Sequence, residues 1–496
     1  MTKSFLQPLD RLAIALMLVL GLIIGLLLSQ GDAVTARVRD FSWQGQQVGA
    51  DDAAFSMTFS RPMDSKSVEE NLKIEPPLPG KFSWAGRRMV YTLIAPAPYG
   101  INYKLQLQNA RDRFAPEGKQ KKVMQPFSAT FRSRDRVLVY IGVEAEEQGK
   151  LILYNLNSQQ KKILTPKDLV VLDFKPYPNG QRILFSASQH RGKQPPDIAS
   201  SQLYSVTTGI SDQPETEPDP AGRLDLLLGS KEYQNLKFDL SSDGKTIAVQ
   251  RVKKDNPADF GLWFFSAIKD SSQEKPQIQR LQTEPTGDFL ITPDSQAVAV
   301  AQGQGVAILP LQKDGSKPLD FLPQYGMVQA FSKDGSQAVM VKFNTNYTRN
   351  LFLVTNQGEQ KELLNTTGSI LSCQFDVASP TLYCLLTQLL EGEQYQEQPY
   401  IAAINLKTGA QRPLVLLPIL RDIKMNLSPD GLALIFDQVQ TGTNSSNPLR
   451  TDDGQDIVSS RLWLLPLFPA AMQQATPVEM KPEELPLPGI QPQWLP

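Results

Sequence analysis

From about residue 134 onward the chain repeats itself, and this repeat narrows the fold more than any other feature. A hydrophobic strand, a tight turn and a second hydrophobic strand occur at Leu172-Asp173-Phe174, Asn179-Gly180 and Ile183-Leu184-Phe185. The same unit returns at Leu236-Lys237-Phe238, Asp243-Gly244 and Ile247-Ala248-Val249, and at Phe289-Leu290-Ile291, Asp294-Ser295 and Val298-Ala299-Val300. It recurs at Val328-Gln329-Ala330-Phe331, Asp334-Gly335 and Val339-Met340-Val341, and at Ile423-Lys424-Met425, Asp430-Gly431 and Leu434-Ile435-Phe436. One copy lacks the Asp-Gly pair, at Cys373-Gln374-Phe375, Ser379-Pro380 and Leu382-Tyr383-Cys384. Asp-Gly and Asn-Gly tolerate the positive φ that a tight hairpin needs. Further strands follow the hairpins, as at Gln202-Leu203-Tyr204-Ser205-Val206 and Arg461-Leu462-Trp463-Leu464. From Asn179-Gly180 to Asp243-Gly244, Asp294-Ser295 and onward, the turns recur at a spacing that suits a blade of four strands with loop insertions. Six units and an opening one at Val137-Leu138-Val139-Tyr140 and Leu151-Ile152-Leu153-Tyr154 suggest a β-propeller of seven blades, with six or eight as the neighbouring counts. Unrelated hairpins in a sandwich or barrel are the competing reading, and the regular recurrence argues against them.

The consensus F-S-x-D-G-x-x-I-x-F is strongest at Phe331-Ser332-Lys333-Asp334-Gly335 and Leu427-Ser428-Pro429-Asp430-Gly431, and it resembles the TolB-like, WD-related propeller repeat. Ahead of it, Phe55, Met57 and Phe59 alternate with Ser56 and Thr58, and Tyr103, Leu105 and Leu107 alternate with Lys104, Gln106 and Gln108. A period of two means one buried face. Between these runs, Asp64-Ser65-Lys66-Ser67-Val68-Glu69-Glu70 reads as a helical turn capped by Asp64. The motifs from Phe55 to Asp64, Gly80-Lys81-Phe82-Ser83-Trp84 and Tyr99-Gly100-Ile101-Asn102-Tyr103 resemble the bacterial Ig-like domain of S-layer and other surface proteins. That resemblance implies a spacer or interaction module without catalytic residues. The expected class is all-β, comprising a head at 1–11, a transmembrane helix at 12–29, an Ig-like sandwich at 35–133, the propeller at 134–468 and a proline-rich tail at 469–496. At one boundary Phe127-Ser128-Ala129-Thr130-Phe131 could end the sandwich or open the propeller. Assigned to the sandwich, it leaves the first blade short of its innermost strand until a C-terminal segment supplies one.

The transmembrane expectation rests on Leu12 to Leu28, a run with no charge, which Ser29 extends by one position. A helix of that length covers ~27 Å, close to the ~30 Å hydrocarbon core. A cleaved signal peptide ending near Val34-Thr35-Ala36 is the alternative. The anchor reading gives a single-pass membrane protein with the bulk of the chain extracytoplasmic, tethered to the membrane by its N-terminal helix.

With 38 prolines, 32 glycines and 20% charged residues, the chain reads as many short strands and turns. The net charge of −1 gives no sign of nucleic acid. Residues 35–133 carry 15 Lys and Arg against 9 Asp and Glu, a basic surplus of 6. No catalytic, cofactor-binding or metal-binding residue is assigned. The one histidine, His190, lies in the polar loop from Ser188 to Pro196 and excludes an H-E-x-x-H zinc site. Gly244-Lys245-Thr246 lacks the first glycine of a phosphate loop, since position 239 is Asp239. Asp452-Asp453-Gly454-Gln455-Asp456 does not have calcium-loop spacing. Asn346, Asn365 and Asn444 begin glycosylation sequons, as chance allows in a chain this long.

Cys373 and Cys384 flank the turn at Ala378-Ser379, so a regular hairpin places them opposite each other. A cross-strand disulfide and two buried thiols are both compatible with that placement. Trp494, in the tail Pro492-Gln493-Trp494-Leu495-Pro496, is the one candidate partner-binding residue. The expected function is a non-enzymatic binding or scaffold protein that presents its propeller to protein or envelope-polymer partners. A carboxylate-dependent lyase or hydrolase acting in the propeller funnel is the alternative, and an envelope sensor the third reading.

Overall fold

The alternating apolar pattern is realised as strand throughout a computed structural model of the chain. It describes residues 8–29, 35–114, 123–189, 196–211, 217–268, 277–281, 287–303, 305–311, 320–392, 395–420, 422–442, 449–467 and 480–496. His190 and Asn444 lie outside the described residues, as do the first eleven positions of the tail, 469–479.

The N-terminal run forms a helix, Pro8–Ser29. Among the described residues no helix is long and apolar enough to cross a membrane. The expectation of a single-pass anchor at 12–29, and with it the extracytoplasmic placement, is therefore overturned.

The chain divides into two compact units. One draws on residues up to Gln44, on Ala54–Thr92 and on Tyr103–Thr130, and the other on Gly45–Ala53, Leu93–Asn102 and Phe131–Pro496. Most strands of two four-stranded sheets fall in the first. One sheet runs Val38–Phe41, Ala54–Phe59, Arg88–Leu93, Gly80–Ala85, and the other Gln47–Val48, Phe127–Ser133, Asn102–Leu107, Leu72–Glu75. Phe127–Ser133 thus pairs within the second of these sheets. Phe55, Met57 and Phe59 are buried as their period requires, together with Met89, Leu105 and Leu107. The Phe55 ring lies 5.3 Å from Phe41, 5.2 Å from Trp43 and 5.1 Å from Tyr91, within the range of favourable aromatic pairs. Asp64 caps the helix Ser65–Asn71 through the Ser67 N–H, and Val68 is buried on its inner side.

The second unit holds seven four-stranded antiparallel sheets among the described residues. Sheets 2 to 7 are meanders that begin with the inner strands Leu169–Pro176, Tyr233–Leu240, Phe289–Ile291, Met327–Phe331, Ile370–Phe375 and Met425–Leu427. Sheet 1 is assembled from both ends of the unit. Its strands Val137–Gly142, Leu151–Asn155 and Gln160–Ile163 are completed on the inside by Gly489–Trp494 from the C-terminus.

The packing of side chains shows that these sheets close into a propeller. Every sheet buries apolar residues against the one before and the one after it. In sheet 3, Ile247 and Val249 pack towards sheet 2 while Ala248 faces sheet 4. In sheet 7, Leu434 and Phe436 face sheet 6, and Ile435 meets Leu138, Tyr140 and Trp494 of sheet 1. A strand sandwiched on both faces must be apolar at successive positions, which is why Val137–Gly142 is buried along its whole length. The hairpin turns carry the positive φ anticipated for them, 70° at Gly180, Gly244 and Gly335 and 73° at Gly431. At the Asp294-Ser295 turn, which has no glycine, Ser295 adopts it at 61°.

Closure depends on Trp494, which is 5% exposed. Its backbone N–H donates to Asn426 Oδ1 at 2.8 Å and its indole N–H to the Asn426 carbonyl at 3.3 Å, both in sheet 7. Trp494→Ala is expected to destabilise the second unit by about 3–5 kcal/mol, the usual cost of emptying a buried aromatic site. Urea denaturation of the full chain measures it.

Candidate functional site: a polar cavity on the propeller axis

On or beside the inner strands, matching places in four sheets carry a polar residue between apolar ones. Asp173 stands between Leu172 and Phe174, Lys237 between Leu236 and Phe238, Gln374 between Cys373 and Phe375, and Lys424 between Ile423 and Met425. Register shifts recur at the matching place in four inner strands, at Val171/Asp173, Asn235/Lys237, Val328/Ala330 and Ile370/Ser372. Such bulges bend a strand and re-aim its side chains.

Several of these side chains reach from one sheet to the next. From sheet 1, Gln493 donates to the Phe174 carbonyl of sheet 2 at 2.8 Å. Lys175 of sheet 2 pairs with Asp239 of sheet 3, and Lys237 of sheet 3 with Asp288 at the start of sheet 4. Gln329 of sheet 5 donates to the Ile370 carbonyl of sheet 6 at 3.1 Å. Gln374 of sheet 6 donates to the Met425 carbonyl at 2.9 Å and accepts from the Leu427 N–H at 2.7 Å. A bend in any one of these strands would break a contact to its neighbour.

Sheets 1, 2, 3, 6 and 7 enclose a cavity of about 490 Å³, lined by Asp173, Lys175, Gln374, Lys424, Asp452, Gln491 and Gln493 over the apolar surfaces of Phe174, Phe238 and Met425. Lys424 Nζ lies 2.7 Å from Asp452 and 3.5 Å from Asp422. Behind it, the fully buried Asp437 accepts the Lys424 and Gln491 backbone N–H groups, each at 2.7 Å. Burial pushes the Asp437 carboxyl up to about 7, against the pull of those two donors. Asp173 is exposed at the cavity yet surrounded by protein. That enclosure raises its carboxyl to about 6, although the Phe174 N–H and Lys424, Lys237 and Lys175 favour its charged form. The lining itself is balanced, with Asp173 and Asp452 against Lys175 and Lys424, and Asp239 and Asp422 pair with those two lysines from outside it. Counted with these partners, four carboxylates stand against two ammonium groups. No group of residues suited to a metal ion occurs among the described residues. The lining includes acids and lysines but neither arginine nor tyrosine.

The residues singled out in the sequence lie elsewhere. Cys373 and Cys384 are register partners in sheet 6, buried, with their sulfurs 2.06 Å apart in a disulfide. Trp494 is internal, held in the closing strand. The cavity residues escaped notice, although their signal was present: a polar residue at the same place of successive repeats.

No protein-family model and no curated protein matches the chain. Solved structures with a similar fold include TolB from Acinetobacter baumannii, at 11% identity over 86% of this chain and 83% of that one, TM-score 0.40. Another is a Bacteroides uniformis protein provisionally described as a 6-phosphogluconolactonase, at 11% identity over 73% of this chain and 99% of that one, TM-score 0.43. The propeller assignment stands on sheet order and on the packing of each sheet between two others.

Two outcomes are expected. A carboxyl raised on folding favours the folded state at low pH, so the stability due to Asp437 is full below about 4 and is lost as pH rises through about 7. Unfolding free energies measured across that window should fall less steeply in Asp437→Asn than in the parent. Thiol labelling of the unfolded, unreduced chain should find no reactive cysteine, and prior reduction should release both Cys373 and Cys384.

Proposed function

We propose that the chain is a seven-bladed, TolB-like recognition propeller that binds a protein partner by taking a cationic segment into the axial cavity. The Ig-like reading of the two-sheet unit makes that unit a spacer. The observation that carries the proposal is the surplus of carboxylates around a cavity with an apolar floor. Low-dielectric walls focus such a field and favour a lysine or arginine side chain at the mouth. A rigid ring of loops suits recognition without chemistry. Envelope polymers with amino groups are a second class of partner with the same charge.

Asp173 favours a second reading, a carboxylate-dependent lyase or hydrolase, because a carboxyl raised to about 6 can both give and take a proton near neutrality. One experiment addresses both. Calorimetric titration with a lysine-rich decapeptide should show saturable binding that weakens with salt and falls at least tenfold in Asp173→Asn/Asp452→Asn. A glutamate-rich peptide of the same length binding as well at this cavity would overturn the recognition reading. Turnover of a captured polymer, lost in Asp173→Asn while binding is kept, would favour the enzyme.

A further inference from the structure

A second surface of the propeller has the opposite charge preference. Between sheets 2 and 3, at the end where their hairpin turns lie, is a cleft of about 670 Å³. Tyr177 and Pro178 of one turn and Asp243 to Lys245 of the next form its sides, and Leu227 and Ala267 contribute apolar surface. Ile268 stands at the cleft with 63% of its surface exposed.

The charges around this cleft are unequally committed. Arg182 is tied to Asp225 and to Ser205 Oγ, a neutral pair. Asp243 is held by its own turn, accepting the Ser241 hydroxyl at 2.6 Å and the Lys245 N–H at 3.0 Å. Lys245 Nζ stands 4.0 Å from that carboxylate, with two thirds of its side chain in solvent. Arg223 meets Asp219, outside the lining, at 3.2 Å, and both side chains are more than half exposed. Exposed pairs of that kind contribute little. Arg223 and Lys245 therefore border an apolar cleft, each facing a single carboxylate that is itself partly in solvent.

A cleft at the corresponding turns of sheets 5 and 6, about 720 Å³, sets two lysines, Lys333 and Lys407, against two aspartates, Asp334 and Asp376. The cleft between sheets 2 and 3 instead sets Arg182, Arg223 and Lys245 against Asp225 and Asp243. We propose that this cleft is a docking site for an extended acidic segment of a protein partner, with one large apolar side chain seated beside Ile268 and carboxylates meeting Arg223 and Lys245. The site is independent of the axial cavity and does not rest on the function proposed for it.

Fluorescence anisotropy with a labelled Glu-Asp-Leu-Phe-Asp-Glu peptide and the full chain tests the proposal. Saturable binding is expected, weakening with salt, reduced at least tenfold in Arg223→Glu/Lys245→Glu and at least threefold in Ile268→Ala, and unchanged in Asp173→Asn. All three altered cleft residues are exposed, so the variants should keep the parent's unfolding midpoint. Absence of saturable binding, equal binding of the lysine-substituted peptide by the Asp173→Asn/Asp452→Asn chain, or affinity unchanged in Arg223→Glu/Lys245→Glu would overturn it.

Discussion

The pairing of Gly489–Trp494 with Val137–Gly142 is the contact on which the propeller depends. Without it the first sheet would present an unpaired inner edge, and sheets 1 and 7 would lose the wall between them. The strand has little room for variation. A Cβ at Gly489 would lie 2.2 Å from the Tyr140 ring, and Trp494 fills the space between sheets 1 and 7. The ring is thus closed by residues from opposite ends of the unit, a non-local contact that must be made against loop entropy.

Closure also explains the polar interior. Strands that meet at an axis cannot all be apolar without collapsing onto one another, and polar groups buried there must find partners. Gln493, Lys175, Lys237, Gln329 and Gln374 find them on the next sheet, and Gln493, Lys175 and Gln374 also line the cavity. Arg223 and Lys245 border a separate cleft, at the turns of sheets 2 and 3.

Much of this was legible in the sequence. Strand–turn–strand units recurring at blade-length spacing indicated stacked four-stranded sheets, and the alternation at Phe55, Met57 and Phe59 indicated a half-buried sheet before them. Two features were misleading or missed. The apolar run at 12–29 pointed to a membrane span, whereas among the described residues no helix is long and apolar enough to make one. Asp173 and Lys424 looked like ordinary alternation, because a polar residue in a strand is usually on a wet surface.

By itself, the sequence determined the strands, their turns and the side of each that is apolar, since these depend on neighbours a few residues apart. Only the tertiary structure decided that the C-terminal strand completes the first sheet. It also decided that Trp494 is internal and that Asp173 and Lys175 of sheet 2 line one cavity with Lys424 and Asp452 of sheet 7. Those outcomes depend on which distant strands become neighbours when the ring closes, and local sequence does not encode that adjacency.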